Sequence, residues 1–191
     1  MQTAQSLAQL ATSYLAEVGG SLTRLPLDKI EQIVLRLEEA RLKRQQVFIC
    51  GNGGSAATAS HFACDLAKGA AVPDKPAIKA FPLTDSMPLL SAWANDLSYQ
   101  EAFARQLAPW VQRGDVVIGI SGSGNSRNVL NALILAREAG ATTIGLIGFD
   151  GGKLKYIADI PLVVASHCME QIEDVHLLLC HLITTCLRNR P

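Results

Sequence analysis

The stretch "VFICGNGGSAATASHFACDLAKG", residues 47 to 69, indicates the fold class and raises a chemical question. It begins with a short apolar run of strand length, passes through a loop of glycine, asparagine and serine, and continues into a helical pattern. That helix carries His61 and Asp65 four residues apart, so both side chains lie on one face. The loop is suited to an anion, and the two side chains are suited to proton or metal chemistry.

The same succession of apolar run and helix recurs along the chain. Apolar runs of strand length occupy 47–50, 77–83, 116–121, 142–149 and 160–165, and helical patterns follow near 56–67, 98–107, 126–139 and 169–188. Residues 2–17 and 27–45 also have helical spacing and precede the first strand. Continuously apolar strands that alternate with helices are typical of a parallel sheet covered on both faces. We therefore predict an α/β three-layer sandwich with a five-stranded parallel sheet.

The length of the chain favours one domain. With 191 residues it is long enough for one sizeable core and short for two. We expect a single domain over 1–191, in which 1–45 forms an N-terminal helical segment. The most apolar run, "VHLLLCHLITTCL", is too short to span a bilayer, and no signal-peptide pattern opens the chain. We expect a cytoplasmic protein with no membrane partner.

The charge balance favours a small ligand over a polyanion. Lys plus Arg and Asp plus Glu number 17 each, so the chain has no overall positive field of the kind that non-specific nucleic-acid binding requires. Aromatic residues make up 5% of the chain, too few for a base-stacking platform. We therefore expect no nucleic-acid partner. The five cysteines show no zinc-finger spacing, and their apolar contexts predict buried free thiols: Cys50, Cys64, Cys168, Cys180 and Cys186.

Two loops share a chemistry suited to phosphate. "GNGGSAA" (51–57) follows the first predicted strand and "SGSGNSRN" (121–128) follows the third, and each leads into a helix. Because the carboxyl ends of parallel strands share one edge of the sheet, the loops face one region. Glycine lets backbone N–H groups approach an anion, and serine hydroxyls add donors. In the alternative interpretation these are ordinary turns, with Ser55 and Ser126 as helix N-caps.

Other phosphate motifs fit less well. "GNGGSA" matches the GxGxxA form of the dinucleotide fingerprint, but no acidic residue ends the second predicted strand at the expected distance. Neither loop is followed by the GK[ST] of a Walker A motif. A phosphosugar is the simpler ligand.

Four segments in order resemble a known family. "GNGGSAATASHF", "ANDLSYQEAFARQL" (94–107), "ISGSGNSRNVLNAL" and "QIEDVHLLLCHL" (171–182) resemble the sugar isomerase (SIS) domain, and within it the phosphoheptose isomerases. The resemblance runs from the N-terminal helices to the last helix and implies a flavodoxin-like sheet. It also implies isomerisation of sedoheptulose 7-phosphate to D-glycero-D-manno-heptose 7-phosphate, in a homotetramer with sites at subunit interfaces.

The resemblance assigns roles to residues of this chain. It implies that Asp65 and His181 are the acid and base groups, and that zinc or another divalent metal binds His61, Asp65, Glu173 and His181. Helical periodicity alone would instead pair His181 with Asp174, seven residues earlier. The implied substrate contacts are Asn52, Gly53, Gly54, Ser55, Asp65, Asn95, Asp96, Ser121, Gly122, Ser123, Ser126 and Glu173.

Simpler interpretations stand beside three of these assignments. His61 and Asp65 could form a surface pair at i and i+4. Asp96 could cap a helix that starts near it. His176, on the same helix as His181, is predicted to be structural, because the resemblance gives the chemistry to His181.

The chain departs from the resembled pattern at four places. Asp65 replaces a glutamate, Glu173 replaces a glutamine, Gly122 stands where threonine is common, and "AKG" (67–69) replaces a segment with arginine. A shorter base could lower activity, and a further carboxylate should strengthen metal binding. Two other functions therefore stand beside the isomerase: a sugar-phosphate-binding SIS protein without turnover, and a regulator of the replication initiator.

Overall fold

The computed structural model describes residues 6–190, and five parallel strands form its sheet. The strand order is β2-β1-β3-β4-β5. The strands are β1 Gln46–Gly51, β2 Lys79–Pro82, β3 Val116–Ser121, β4 Thr142–Ile147 and β5 Ile160–Val163. All four pairings are parallel. The predicted fold class is confirmed, and each predicted apolar run coincides with one strand, although β1 extends one residue beyond its run at each end.

Helices cover both faces of the sheet. They are α1 Leu7–Thr23, α2 Leu27–Leu42, α3 Gly54–Cys64, α4 Met87–Asp96, α5 Ala102–Leu107, α6 Arg127–Glu138, α7 Leu154–Ile157 and α8 Met169–Asn189. A π-helical turn, Asp65–Gly69, continues α3. No helix within residues 6–190 is long and apolar enough to cross a membrane.

The central strands β1 and β3 are almost wholly apolar because their two faces contact separate cores. Along β1, Val47 and Ile49 join the core beneath α2, α3 and α8, whereas Phe48 and Cys50 join the core beneath α5 and α6. Successive side chains of a strand point to opposite faces, so a strand buried on both sides has few polar positions. This burial makes β1 and β3 the rigid centre of the sheet.

The site region is set by the connections of β1. β1 lies between β2 and β3 in the sheet. After β1 the chain forms β2 on one side of it, and then returns to form β3 on the other side. In doubly wound sheets, ligands bind in the crevice outside the carboxyl ends of strands at such a reversal. The two predicted phosphate loops follow β1 and β3 and therefore lie on either side of this crevice.

Several element boundaries differ from the prediction. Helix α4 was not predicted, because it buries no residue fully and has no clear apolar face. The helix predicted at 98–107 begins only at Ala102, because residues 97–101 form turns after α4 ends. The single-turn helix α7 was also missed.

The first helix is longer than predicted at its carboxyl end. Residues 2–5 of the helix predicted at 2–17 lie outside the described residues, and α1 continues to Thr23 through two glycines. Ser21 and Arg24 both donate hydrogen bonds to the Ala165 carbonyl, at 3.3 and 2.9 Å. These bonds hold the end of α1 on the domain, and Gln171 of α8 donates to Glu17 at 2.8 Å. Tertiary contacts therefore outweigh the low helix propensity of glycine.

Candidate active site

The two Gly/Ser loops line one open cavity of about 260 Å³. Its walls come from both loops and from the start of α8. The lining residues are Asn52, Gly53, Gly54, Ser55, Ile120, Ser121, Gly122, Ser123, Ser126, Met169 and Glu173. The structure thus brings together nine of the twelve predicted substrate-binding residues, and Asp65, Asn95 and Asp96 lie outside this cavity. We refer to it below as the loop cavity.

The loop cavity is suited to an anion through backbone and hydroxyl groups. Helices α3 and α6 begin at its wall, and helix N-termini present free N–H groups and the positive end of the helix dipole. Gly53, the N-cap of α3, has a φ of 55°, a conformation that glycine adopts without strain. Within residues 6–190, no Lys or Arg lines the cavity. A bound phosphate would therefore depend on N–H and O–H donors.

The serine hydroxyls are not used as helix caps. The N-cap of α3 is Gly53, so Ser55 lies inside the first turn. Ser126 is the N-cap of α6, but its side chain makes no capping bond; its Oγ lies 3.1 Å from Ser121 Oγ. The interpretation of these serines as ordinary caps therefore loses its main support, and their hydroxyls remain close to the cavity.

A second group of side chains lies farther along α3 and α8. His61 Nε2 is 2.8 Å from His181 Nε2, and Asp65 Oδ2 is 3.3 Å from His61 Nε2 and 3.8 Å from His181 Nε2. The rings meet edge to face, with centroids 4.9 Å apart. The exposed side-chain fractions are 45% for His61, 24% for Asp65 and 55% for His181, so solvent reaches all three. We call these residues the His–Asp cluster.

The His–Asp cluster is more than a surface pair at i and i+4. Two imidazole nitrogens face one carboxylate oxygen, and these three atoms lie within 4.8 Å of one another. Nitrogen and carboxylate oxygen are ordinary ligands of zinc and other divalent metals. The cluster can hold such an ion, and its groups can also accept and donate protons.

Asp65 occupies a local irregularity of the helix. It opens the π-helical turn, in which Ala70 N–H donates to the Asp65 carbonyl at 2.8 Å. Such single π turns are frequent at functional sites. The sequence prediction of a regular helix over 56–67 missed this turn, because no residue pattern in the segment distinguishes an i→i+5 bond from an i→i+4 bond.

Other polar residues of α8 face different surroundings. The Glu173 carboxylate packs against Gly54, so a Cβ at position 54 would overlap Glu173 Oε2. Glu173 is therefore placed at the loop cavity and is not one of the three residues of the His–Asp cluster. Asp174, the partner of His181 by periodicity alone, instead accepts a hydrogen bond from Tyr14 of α1. That bond raises the pKa of Tyr14 to about 12.

His176 is a core residue, as predicted. It is fully buried, and burial lowers its pKa to about 4, with the Ile147 backbone opposing part of the shift. The neutral ring fits the apolar core, because desolvation penalises the charged form. His176 and His181 lie five residues apart on one helix and thus face nearly opposite directions.

Two sequence interpretations need correction. Asp96 is the last residue of α4, so it does not cap the start of a helix; it accepts a hydrogen bond from Asn95 at 3.0 Å. Cys64 is exposed at the end of α3, whereas Cys50 and Cys180 are buried as predicted. Cys168 and Cys186 are partly exposed. An apolar sequence context therefore did not suffice to predict burial at helix ends.

One polar residue beside the loop cavity had no predicted role. Asn128, two residues after Ser126, is buried and pairs its amide with that of Asn52. Its only signal in the sequence is its place within "SGSGNSRN", because the two asparagines are 76 residues apart.

Comparison with known proteins identifies the family. Residues 13–148 match the SIS domain family. This chain belongs to the SIS domain family. The phosphoheptose isomerase of Aliarcobacter butzleri (strain RM4018) is 42% identical to this SIS protein over 164 residues, which cover 86% of this chain and 85% of the relative. The resemblance predicted from the four segments is confirmed.

Solved structures agree with this assignment. The phosphoheptose isomerase of Neisseria gonorrhoeae matches the SIS chain with a TM-score of 0.88 at 30% identity, over 95% of this chain and 98% of the other. That of Francisella tularensis matches with a TM-score of 0.89 at 26% identity, over 97% of this chain and 100% of the other. The N-terminal helices and α8 therefore belong to the shared architecture.

Proposed function

We propose that the protein is an aldose–ketose isomerase of phosphosugars, and that it converts sedoheptulose 7-phosphate to D-glycero-D-manno-heptose 7-phosphate in heptose biosynthesis. The phosphoheptose isomerases at about 40% identity over most of the chain support this substrate class. The reaction must be argued from the residues of the site, because one fold can host many functions.

The observation that carries the proposal is the spacing of the two parts of the site. Gly54 contacts Glu173 at the loop cavity, and His61 contacts His181 in the His–Asp cluster, so α3 and α8 run side by side in the same direction. Seven residues of α3 separate the two contacts, which is about 10 Å along the helix axis. An extended seven-carbon sugar spans such a distance. Its terminal phosphate would then lie in the cavity while C1 and C2 reach the cluster.

The His–Asp cluster has the groups that the reaction requires. A base removes a proton from C1 of the ketose while the C2 carbonyl oxygen gains a proton, and this gives the enediol. A proton then leaves the C1 hydroxyl and another is delivered to C2, which completes the aldose. Asp65 and His181 share these transfers in our proposal, because their acceptor atoms lie 3.8 Å apart and are open to solvent.

We further propose that zinc, or another divalent metal, is held by His61, Asp65 and His181, with Glu173 as the fourth ligand. The close approach of two imidazole nitrogens to one carboxylate oxygen fits a cation between them. A bound divalent cation would polarise the carbonyl and hydroxyl oxygens of the sugar. Glu173 would have to turn from Gly54 to reach it, since eight residues of α8 correspond to about 12 Å.

We propose a cytoplasmic homotetramer, with each chain forming one SIS domain over 1–191 and 1–45 as its helical start. Asn95 and Asp96 are exposed and do not line the loop cavity of their own chain. If they bind substrate, they do so at an interface between subunits. Leu7 and Leu15 of α1, exposed by 85% and 70%, supply apolar surface for such an interface.

The test is turnover of sedoheptulose 7-phosphate in deuterated water. We expect the heptose 7-phosphate as product, with deuterium on C2 when the abstracted proton exchanges with solvent. Asp65→Glu should raise turnover if the shorter carboxylate misplaces the base. If the wild type binds the sugar phosphate but gives neither product nor exchange with zinc present, a sugar-phosphate sensor or a regulator of the replication initiator replaces the isomerase.

A further inference from the structure

A pair of asparagine side chains joins the two loops of the cavity. Asn52 Nδ2 donates to Asn128 Oδ1 at 2.9 Å, and Asn128 Nδ2 donates back to Asn52 Oδ1 at 2.8 Å. Asn52 follows β1 and lines the loop cavity, whereas Asn128 lies in the first turn of α6 and is only 3% exposed. The pair therefore connects the first phosphate loop to the helix that follows the second.

The backbone determines which way round both amides lie. Val129 N–H donates to Asn128 Oδ1 at 3.0 Å. Only an oxygen can accept that hydrogen, so Asn128 Nδ2 must face Asn52. Asn52 Oδ1 must then face Asn128, because two NH₂ groups placed opposite each other could not bond. One backbone donor thus sets the orientation of two side chains.

A tyrosine reinforces the same orientation. Tyr99 Oη donates to Asn52 Oδ1 at 2.7 Å, so this oxygen accepts two hydrogen bonds, which is its capacity. Asn52 Nδ2 has two hydrogens and gives one to Asn128. Among residues 6–190, no acceptor is found for the second hydrogen, and Asn52 lines the loop cavity.

We propose that Asn128 is a positioning residue, supported by Tyr99, that holds Asn52 with its remaining N–H available to a phosphate oxygen of the substrate. The proposal rests on the function proposed above only in placing the phosphate in the loop cavity. The orientation matters because no Lys or Arg lines this cavity within the described residues. A reversed Asn52 amide would present its carbonyl oxygen to the dianion, replacing an attraction with a repulsion.

The test is a double-mutant cycle read by calorimetric binding of inorganic phosphate. Asn128→Leu removes the amide without adding charge, and we expect phosphate binding to weaken about 10-fold, in line with loss of a hydrogen bond to a charged group. In an Asn52→Ala background the same change should weaken binding by less than about 2-fold, because Asn128 acts through Asn52. An equal effect in both backgrounds overturns the proposal, since Asn128 would then act through the general structure of the loops.

Tyr99→Phe provides a milder variant that keeps the buried pair. It removes one of the two donors to Asn52 Oδ1, and we expect phosphate binding to weaken about 2- to 5-fold. Tyr156→Phe is the matched control, because Tyr156 is 82% exposed and does not line the loop cavity, so binding should not change. If Asn128→Leu does not fold, the proposal is tested instead by a double-mutant cycle of Tyr99→Phe and Asn52→Ala. Additive effects of these two changes on phosphate binding would overturn the proposal.

Side-chain amide exchange separates this proposal from the proposed function. In NMR spectra of the wild type, the bonded Asn52 NH₂ hydrogen should exchange slowly with solvent, and Asn128→Leu should abolish that protection. A protected pair together with weakened phosphate binding supports the positioning role even if no isomerase activity is found. Rapid exchange in the wild type, or no phosphate binding by the wild type, overturns it.

Discussion

The loop cavity and the His–Asp cluster are built in different ways. The cavity is formed by glycines, helix N-termini and short serines, so its shape follows from the backbone. The cluster depends on three side chains meeting at one point, two from α3 and the π-helical turn that continues it and one from α8. A backbone site tolerates changes around it, whereas a side-chain site changes with every added or lost methylene. Two of the departures from the resembled pattern are changes of side chain that the resemblance assigns to the metal: Asp65 lies in the cluster, whereas Glu173 lies at the loop cavity.

This difference separates binding from chemistry. The loop cavity can hold a phosphate without the cluster, and this is all that a sugar-phosphate sensor requires. The cluster supplies acid, base and metal ligands that binding alone does not need. Variants that affect one region and spare the other therefore distinguish an enzyme from a sensor.

The largest effect is expected from the cluster. Asp65→Asn and His181→Gln should each lower turnover of sedoheptulose 7-phosphate by about 100- to 10,000-fold, the usual contribution of a general acid or base. Phosphate binding should stay within about twofold, because the loop cavity keeps its donors. Ser60→Ala, one residue before His61 but outside the cluster, is the control for disturbance of α3. Full turnover in either cluster variant would contradict the assigned chemistry.

A variant of His176 tests whether helix α8 has one face in the apolar core and the other at the site. Its pKa is about 4 when folded and about 6.5 when unfolded, so the unfolded chain binds more protons between these values. Lowering the pH from 7 to 4 should therefore cost the wild type about 3 kcal/mol of unfolding free energy that His176→Leu does not lose. Denaturant unfolding of both proteins at several pH values measures this difference. Parallel pH profiles would show that the ring is not buried and neutral.

The backbone origin of the loop cavity is tested at Gly51. A Cβ there would lie 2.6 Å from the Ser55 carbonyl oxygen, so Gly51→Ala forces the first loop away from β1. We expect a loss of about 1 to 3 kcal/mol in unfolding free energy, together with weaker phosphate binding. Gly19→Ala is the matched control, because among residues 6–190 no atom beyond the neighbouring helix backbone lies within 4 Å of its added Cβ, and alanine favours the helix. Unchanged stability of Gly51→Ala would mean that the loop is pliable.

The same contrast explains what the sequence could predict. Local patterns predict the strands, both loops and the position of His61 and Asp65 on one helix face. These patterns are the apolar runs, the glycines and a spacing of four residues. Contacts between distant segments carry no local signal. The approach of His181 to His61 crosses 120 residues and was expected only from the family resemblance.

The misses have physical reasons of the same kind. Helix α4 buries no residue fully and so lacks the apolar face that predicts a helix. The pairing of Asn52 with Asn128 is a contact between polar side chains, which have no periodicity to reveal it. The exposure of Cys64 depends on where α3 ends, which an apolar sequence context does not specify.

The smallest effect is expected at Glu173, the residue that connects the two regions. Its carboxylate lies at the loop cavity, whereas the family resemblance assigns it to the metal. Glu173→Gln should tighten inorganic phosphate binding by about 3- to 10-fold, because it removes a negative charge near the dianion and, among residues 6–190, no Lys or Arg lines the cavity to compensate it. The same change should weaken zinc binding, since a carboxylate neutralises a cation better than an amide does.

Two titrations with one matched control test both parts of this prediction. Calorimetry with phosphate, and separately with zinc, compares Glu173→Gln with Glu170→Gln, an exposed glutamate in the first turn of the same helix that should change neither affinity appreciably. Because both variants remove one charge from α8, a general electrostatic effect would appear in both. Tighter phosphate binding with unchanged zinc affinity would assign Glu173 to the loop cavity alone and leave the metal to the three residues of the cluster. Weaker zinc binding with unchanged phosphate affinity would mean that the Glu173 side chain turns away from Gly54 when the ion is bound. The position of the Glu173 carboxylate would then be determined by the reach of its side chain and not by the shape of the backbone around it.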